Sequence, residues 1–208
     1  VLDLSGAVGA AARRAPSIIS IKAEVKGKAA HAGFEPERGI HAIAVAAEAV
    51  TRLSMGHVDE DTTFNIGTIN GGTATNIVPD RCVVTGEIRS YDHSKALEYV
   101  KSTEKIFAEE ADKAEATAEV THQVHLVAYE TPVESRTVKD FLKACEKTGL
   151  PGTLTETFGG SDNNSFAKHG IEGLVLSCGM YQAHSTNEYT KIKDLYDGAE
   201  LIRTLIEL

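Results

Sequence analysis

This sequence of 208 residues lacks several features that would point to a particular partner or compartment. It has no apolar run long enough to span a bilayer, and its three cysteines, Cys82, Cys145 and Cys178, show no CxxC spacing. A signal peptide is not indicated, because the first residues have no basic segment and Asp3 interrupts the apolar stretch. The sequence also begins without methionine, as expected of a fragment or a processed chain. A reduced, cytoplasmic protein is the simplest expectation.

An excess of basic charge is also missing. The chain has 21 Lys and Arg against 30 Asp and Glu, a formal net charge of -9, and its basic residues are scattered. Nucleic acids and anionic membranes both bind basic faces, so neither is expected as a partner. The hydrophobic fraction of 42% and the charged fraction of 25% are ordinary for a globular protein, which here could form one large domain or two small ones.

The middle of the sequence predicts a β-α-β-β-α-β order. Residues 18–26 alternate between apolar and polar side chains, which is typical of a half-buried strand. Two further strands are predicted over 62–69 and 82–89, and a last one ends near residue 126. Ser94 is predicted to cap the second helix. The first helix is predicted to turn one face inward, made of Ile40, Ile43, Ala44, Ala47 and Val50. This order is the split β-α-β or ferredoxin-like arrangement, an α+β domain placed at residues 18–128.

The remaining residues, 1–17 and 129–208, alternate helix and strand as an incomplete α/β domain does. Ser135 is predicted to begin a helix that Gly149 ends. A short helix follows the pair Gly159-Gly160. The last helix is predicted over 194–207, with an inward face made of Leu195, Ala199, Ile202 and Ile206.

Taken one at a time, the residues able to carry chemistry have ordinary explanations. His184 follows an apolar strand, where α/β sheets place their sites, but a surface histidine fits equally well. His31 can be a turn histidine, Asn76 can serve its own turn, and Asp3 can be an exposed acid near the start of the sequence. Ser161 does not complete the GxSxG elbow of a serine hydrolase, because Asp162 and Asn163 follow it.

Their order and surroundings are more specific, and they resemble one enzyme family. The matching segments are VLDLSGAVGAAARRAPS, IKAEVKGKAAHAGFEPERGIHAI, GTINGGTATNIVPDRCVVTGEIRS, GGSDNNSFAKHGI and AHSTNEY. Together they are similar to the C-terminal part of the dinuclear zinc metallopeptidases that include peptidase T, carboxypeptidase G and succinyl-diaminopimelate desuccinylase. The peptidase T-like members, tripeptide aminopeptidases, are the most similar. The resemblance implies a ferredoxin-like lid that forms a homodimer and is inserted in an α/β catalytic domain.

The resemblance also implies a role for each candidate residue. Asp3 and His184 would each be a ligand of one of two zinc ions. His31 would reach across the dimer to stabilise the tetrahedral oxyanion, and Asn76 would join it. Arg89 would hold a carboxylate of the short peptide substrate, and Gly159 and Gly160 would line that substrate. The lid helix at 40–53 and the edge strand at 62–69 would form the dimer.

The sequence departs from the family in one large respect. The family's HxD pair, its Glu-Glu pair with the general base, and its bridging aspartate have no counterpart here, although catalytic zinc takes three protein ligands. The chain is therefore expected to be a fragment of a larger enzyme that binds zinc poorly and is inactive alone. Two alternatives stay open: a related amidohydrolase, deacylase or carboxypeptidase of the same family, and a non-catalytic dimerisation or binding module.

Overall fold

The computed structural model describes residues 1–208, which form two compact units. The first unit combines residues 1–16 with 126–208, and the second comprises residues 17–125. These bounds lie within three residues of the predicted ones. None of the helices combines the length and apolar character that crossing a membrane requires.

The strands, in chain order, are β1 Leu2–Ser5, β2 Ala10–Ala15, β3 Ser17–Lys26, β4 Gly56–His57, β5 Thr62–Gly71, β6 Arg81–Ser90, β7 Thr117–Leu126, β8 Tyr129–Glu130, β9 Thr153–Glu156 and β10 Val175–Met180. The helices are α1 Ala42–Thr51, α2 His93–Lys113, α3 Arg136–Thr148, α4 Asp162–Lys168 and α5 Ile192–Ile206, with a 3-10 turn at Pro36–Arg38.

The second unit has one sheet, in the order β4-β5-β6-β3-β7, and β6 runs antiparallel to both β3 and β5. The predicted alternation of β3 is confirmed, because Ile19, Ile21, Ala23 and Val25 are all buried. Helices α1 and α2 pack against β3 and β6 and against each other. The predicted β-α-β-β-α-β order is present, with the two-residue strand β4 in addition.

The predicted inward face of α1 is confirmed for Ile40, Ile43 and Val50, which pack against the core, and is wrong for Ala44 and Ala47. The buried residues are Ala42, Val45, Ala46 and Ala49, while Ala44 and Ala47 are exposed. The helix is apolar almost all round, so both faces have helical spacing. Its one charged side chain, Glu48, is exposed and lies about equally far from both faces, so it does not distinguish them.

The N-cap of α2 also differs from the prediction. It is Asp92, whose Oδ1 accepts hydrogen bonds from the backbone N–H groups of Ser94 at 2.8 Å and Lys95 at 3.1 Å. Ser94 lies in the first turn instead. Both residue types favour N-cap positions, and they are only two residues apart in sequence.

Replacing Asp92 by Ala is expected to lower the free energy of unfolding by about 1 kcal/mol, because two backbone donors lose their acceptor. The matched replacement Ser94→Ala should stay within about 0.5 kcal/mol of the parent. Urea denaturation of both variants measures the difference. A larger loss for Ser94→Ala would mean that Ser94 is the cap after all.

The first unit has a second sheet, in the order β1-β10-β2-β8, with β9 paired to β2. Its core contains Val138, Phe141 and Leu201. The predicted ends of α3 are confirmed: the Ser135 hydroxyl accepts from the Val138 N–H, and Gly149 has the left-handed conformation, φ 70°, that glycine adopts without cost.

The predicted inward face of α5 is wrong in three of its four residues. Leu195 is 55% exposed, Ile206 is 80% exposed, and Ala199 is exposed as well. Burial falls instead on Asp194, Leu201 and Thr204, while Ile202 packs partly against the core. Because Asp194 and Thr204 are polar, apolar spacing alone could not identify this face. Helix α5 consequently leaves a row of apolar side chains uncovered.

Candidate functional site

The second unit brings His31 and Asn76 onto adjacent segments of backbone. His31 pairs with Ile77 in an isolated antiparallel bridge. The Ala32 N–H donates to the Asn76 carbonyl at 3.0 Å, and the Val78 N–H donates to the Ala30 carbonyl at 2.9 Å. The two residues are 45 positions apart in sequence, and this short ladder places them side by side at one end of the sheet.

The imidazole of His31 is held by its own loop. Its Nδ1 is 3.2 Å from the Gly33 N–H and accepts that hydrogen bond. The ring stacks on Phe34 with centroids 4.2 Å apart, although Phe34 itself is 81% exposed. Since Nδ1 is the acceptor, the proton of the neutral ring lies on Nε2. The structure therefore presents His31 as a donor through Nε2.

Gly27 is the residue that lets this loop close. The loop is clamped at its base by mutual backbone hydrogen bonds between Lys28 and Ile40, of 3.0 and 2.9 Å. A Cβ atom on Gly27 would lie only 2.1 Å from the Ile40 carbonyl oxygen, a separation that real contacts do not reach. Only glycine permits this approach of the two backbones.

Arg89 lies far from this pair. It is at the end of β6, where its Nε donates to Glu87 Oε1 at 2.6 Å. The loops of His31 and Asn76 adjoin the other end of β6, where the Gly27 N–H donates to the Asp80 carbonyl. Arg81 and Arg89 are eight residues apart on this strand, about 27 Å at the usual rise per residue. Within one chain, the structure does not bring Arg89 together with His31 and Asn76.

The two predicted metal ligands belong to the first unit. Asp3 is exposed on β1, which pairs in parallel with β10. The register of this pairing shifts between Leu2 and Leu4, on either side of Asp3. His184 is exposed and follows β10 by four residues. Parallel pairing places the carboxyl ends of both strands at the same edge of the sheet.

The loop that carries His184 is closed by two tyrosines. Tyr181 and Tyr189 exchange backbone hydrogen bonds of 3.0 and 3.1 Å, and their rings stack 5.0 Å apart. The Tyr181 hydroxyl donates to Asp194 Oδ2 at 2.9 Å, and this hydrogen bond raises the pKa of Tyr181. The base of the loop is thus closed by backbone hydrogen bonds, ring stacking and one side-chain hydrogen bond.

At the tip of this loop, His184 has a left-handed backbone conformation, with φ 63°. Glu188 Oε2 accepts the His184 N–H at 2.9 Å and so fixes that conformation. No role for Glu188 could be predicted from the sequence, because a carboxylate four residues after a histidine is too common a pattern to interpret.

The pair Gly159-Gly160 is exposed and leads directly into α4. The Thr157 hydroxyl accepts the Gly159 N–H at 3.0 Å. Ser161 is the N-cap of α4, and it forms a capping box with Asn164. Its hydroxyl therefore serves the helix, which agrees with the absence of a GxSxG elbow.

A catalytic zinc needs three protein ligands. Across residues 1–208 there is no group of three or more His, Cys, Asp or Glu side chains that could hold a metal ion. Asp3 and His184 alone do not fit such an ion, so the donors in this chain do not make a complete metal centre.

Comparison with known proteins identifies the second unit. Residues 15–115 match the peptidase dimerisation domain of the M20 family. Residues 15–115 thus form an M20 peptidase dimerisation domain, and the family resemblance found in the sequence is confirmed.

Particular relatives extend the match over the whole chain. A tripeptidase from Staphylococcus aureus has a TM-score of 0.94 and 34% identity, covering 99% of this chain and 55% of its own. The aminopeptidase PepT of Bacillus cereus has a TM-score of 0.92 and 36% identity, with the same coverage of both chains.

Two curated relatives show the same pattern of coverage. The protein YqjE of Bacillus subtilis is 38% identical over 99% of this chain and 56% of its own length. Carboxypeptidase G2 of a Pseudomonas strain is 27% identical over 90% of this chain and 47% of its own. The chain thus spans about half the length of the relatives it matches.

Proposed function

We propose that this chain is part of a metal-dependent exopeptidase that hydrolyses short peptides, of the tripeptide aminopeptidase type. The observation that carries the proposal is the likeness of the whole chain, both units included, to a tripeptidase and to PepT. The M20 dimerisation domain supports a hydrolase and a homodimer.

In this proposal, residues 18–128 are the lid and the rest belongs to the catalytic domain. The sheet order β5-β6-β3-β7, with α1 and α2 as the crossovers, is the order of a ferredoxin-like domain and supports that assignment. The dimer would use α1 and β5. Ala44 and Ala47 leave a shallow exposed face on α1, and the edge of β5 that faces away from β6 has no paired strand after Phe64.

Within the lid, His31 would stabilise the oxyanion of the tetrahedral intermediate through its Nε2–H, with Asn76 beside it. Arg89 would bind a substrate carboxylate, for which its planar guanidinium is suited. The long separation along β6 supports a shared arrangement: His31 and Asn76 of one subunit would complete a site that uses Arg89 of the other. Gly159 and Gly160 would line the substrate.

Asp3 and His184 would each supply one ligand to one of two metal ions, taken to be zinc. The remaining ligands and the general base would come from parts of the protein outside this sequence. The exposed apolar face of α5 supports this view, since such faces mark surfaces that other protein covers. The chain by itself is expected to bind zinc weakly and to be inactive.

A substrate panel tests the proposal on the full-length protein. We expect release of the N-terminal residue from tripeptides, loss of that activity on treatment with a chelator, and its recovery on addition of zinc. The 208-residue chain is the matched control and should show no turnover. Release of a C-terminal glutamate instead would favour a carboxypeptidase of the same family, and hydrolysis of N-acyl amino acids would favour an amidohydrolase or deacylase. If no substrate were hydrolysed, with or without added zinc, the protein would be a non-catalytic module.

A further inference from the structure

Asn164 connects three segments of the first unit that are remote in sequence. Its side chain is buried, with only 1% of the residue exposed. The amide nitrogen Nδ2 donates to the carbonyl of Pro16 at 3.1 Å and to that of Val127 at 2.9 Å. The amide oxygen Oδ1 accepts the Ser161 N–H at 3.1 Å. One amide thus satisfies three backbone groups.

The chemistry of the three partners determines which way the amide points. Two carbonyl oxygens need donors, and a backbone N–H needs an acceptor. An amide in the opposite orientation would place its oxygen against both carbonyls and its NH₂ against the Ser161 N–H. Only the observed orientation pairs every group, and a buried group left unpaired is costly.

The partners of Asn164 occupy special places in the chain. Pro16 is the last residue of the first unit before the chain enters the second, and Val127 lies just after the chain returns. These two points, where the chain passes between the units, are called the crossings. Close to them, β2 pairs with β8 through Ala15 and Tyr129. Ser161 immediately follows the exposed Gly159-Gly160 pair.

We propose that Asn164 is a positioning residue that fixes the Gly159-Gly160 loop to both crossings of the chain. A displacement of the backbone at either crossing would then shift the loop. A ligand bound to the loop would in turn reduce the motion of the crossings. The role of the loop in lining a peptide substrate rests on the proposed function; the three hydrogen bonds of Asn164 do not.

Hydrogen exchange measured by mass spectrometry on the 208-residue chain, without substrate, tests this role. Asn164→Ala removes all three bonds, so segments 12–17, 125–131 and 157–162 should each exchange about tenfold faster or more. Helix α3 and strand β10 serve as internal references and should keep their rates. Asn164→Asp keeps the acceptor for Ser161 but can donate at most one hydrogen bond. It should therefore loosen at least one crossing while segment 157–162 stays protected.

Asn163 provides the matched control. It is equally buried and adjacent, but its Nδ2 has no hydrogen-bond partner. Asn163→Ser should change segments 12–17 and 157–162 no more than it changes α3 and β10; segment 125–131 is left out of this comparison, because the Asn163 side chain interacts with Tyr129. Uniform acceleration in Asn164→Ala, or acceleration confined to segment 157–162, would overturn the proposal. So would loss of protection at that segment in Asn164→Asp.

If the Asn164 variants do not fold, a measurement on the unmodified chain still tests the proposal. Both side-chain NH₂ protons of Asn164 should exchange at least about 100-fold more slowly, by NMR, than those of the exposed Asn76. Equal rates would show that the amide is not held, and the proposal would fail. Neither experiment uses catalysis, so its outcome is independent of whether the full-length protein is a peptidase.

Discussion

Replacing His31 by Ala in the full-length enzyme is expected to lower kcat about 10²- to 10³-fold, the usual effect of removing one oxyanion donor. The physical basis is the hydrogen bond from Gly33 to Nδ1, which leaves Nε2 as the protonated nitrogen of the neutral ring. The oxyanion forms only as the substrate reacts, so KM should change little. Steady-state kinetics with a tripeptide substrate gives both constants.

His31→Gln is the informative companion variant, because a glutamine NH₂ can donate at a similar reach and should restore part of kcat. Phe34→Leu keeps an apolar contact beside the ring and should have a much smaller effect than His31→Ala. A His31→Ala enzyme that retains kcat and shows only a raised KM would assign His31 to substrate binding instead.

Replacing Arg89 by Ala is expected to raise KM about 10- to 100-fold with little change in kcat, as removal of a charged hydrogen-bonding partner from bound substrate predicts. Arg89→Lys should recover only part of this, because an ammonium cannot reproduce the planar fork of a guanidinium. Removing the neighbouring carboxylate in Glu87→Gln should leave KM near that of the parent. The loss should disappear for substrates whose terminal carboxylate is amidated, and a loss that persists there would exclude carboxylate recognition by Arg89.

The sequence predicts best where polar and apolar side chains alternate without ambiguity. Strand β3 is such a case, and so is α3, where Ser135 and Gly149 mark both ends. It predicts poorly where the pattern permits two solutions. Helix α1 is apolar almost all round, and Asp92 and Ser94 are both good caps two residues apart. In α5 the buried face includes Asp194 and Thr204, which no search for apolar spacing would select.

The candidate site also has features that local sequence patterns predict and features that they do not. The neighbouring segments of His31 and Asn76 could be linked in advance only through the family resemblance, since periodicity says nothing about residues in separate loops. The role of Asn164 was not predicted at all, because its partners Pro16 and Val127 are 148 and 37 residues away in sequence. Long-range hydrogen bonds of one buried amide leave no local pattern.

In the proposed dimer, His31 and Asn76 of one chain serve one site, and Arg89 of that same chain serves the other. Co-expression of His31→Ala and Arg89→Ala subunits with different tags, followed by purification of the mixed dimer, tests it directly. In a symmetric dimer with shared sites, one site then receives both defects and the other receives none. Measured at a substrate concentration well below the KM of the parent, where each single variant is nearly inactive, the mixed dimer should recover about half of the parent activity per dimer, since one of its two related sites is intact. A mixed dimer no more active than the two variant homodimers would show that His31 and Arg89 of one chain act at the same site, and the shared arrangement would be wrong.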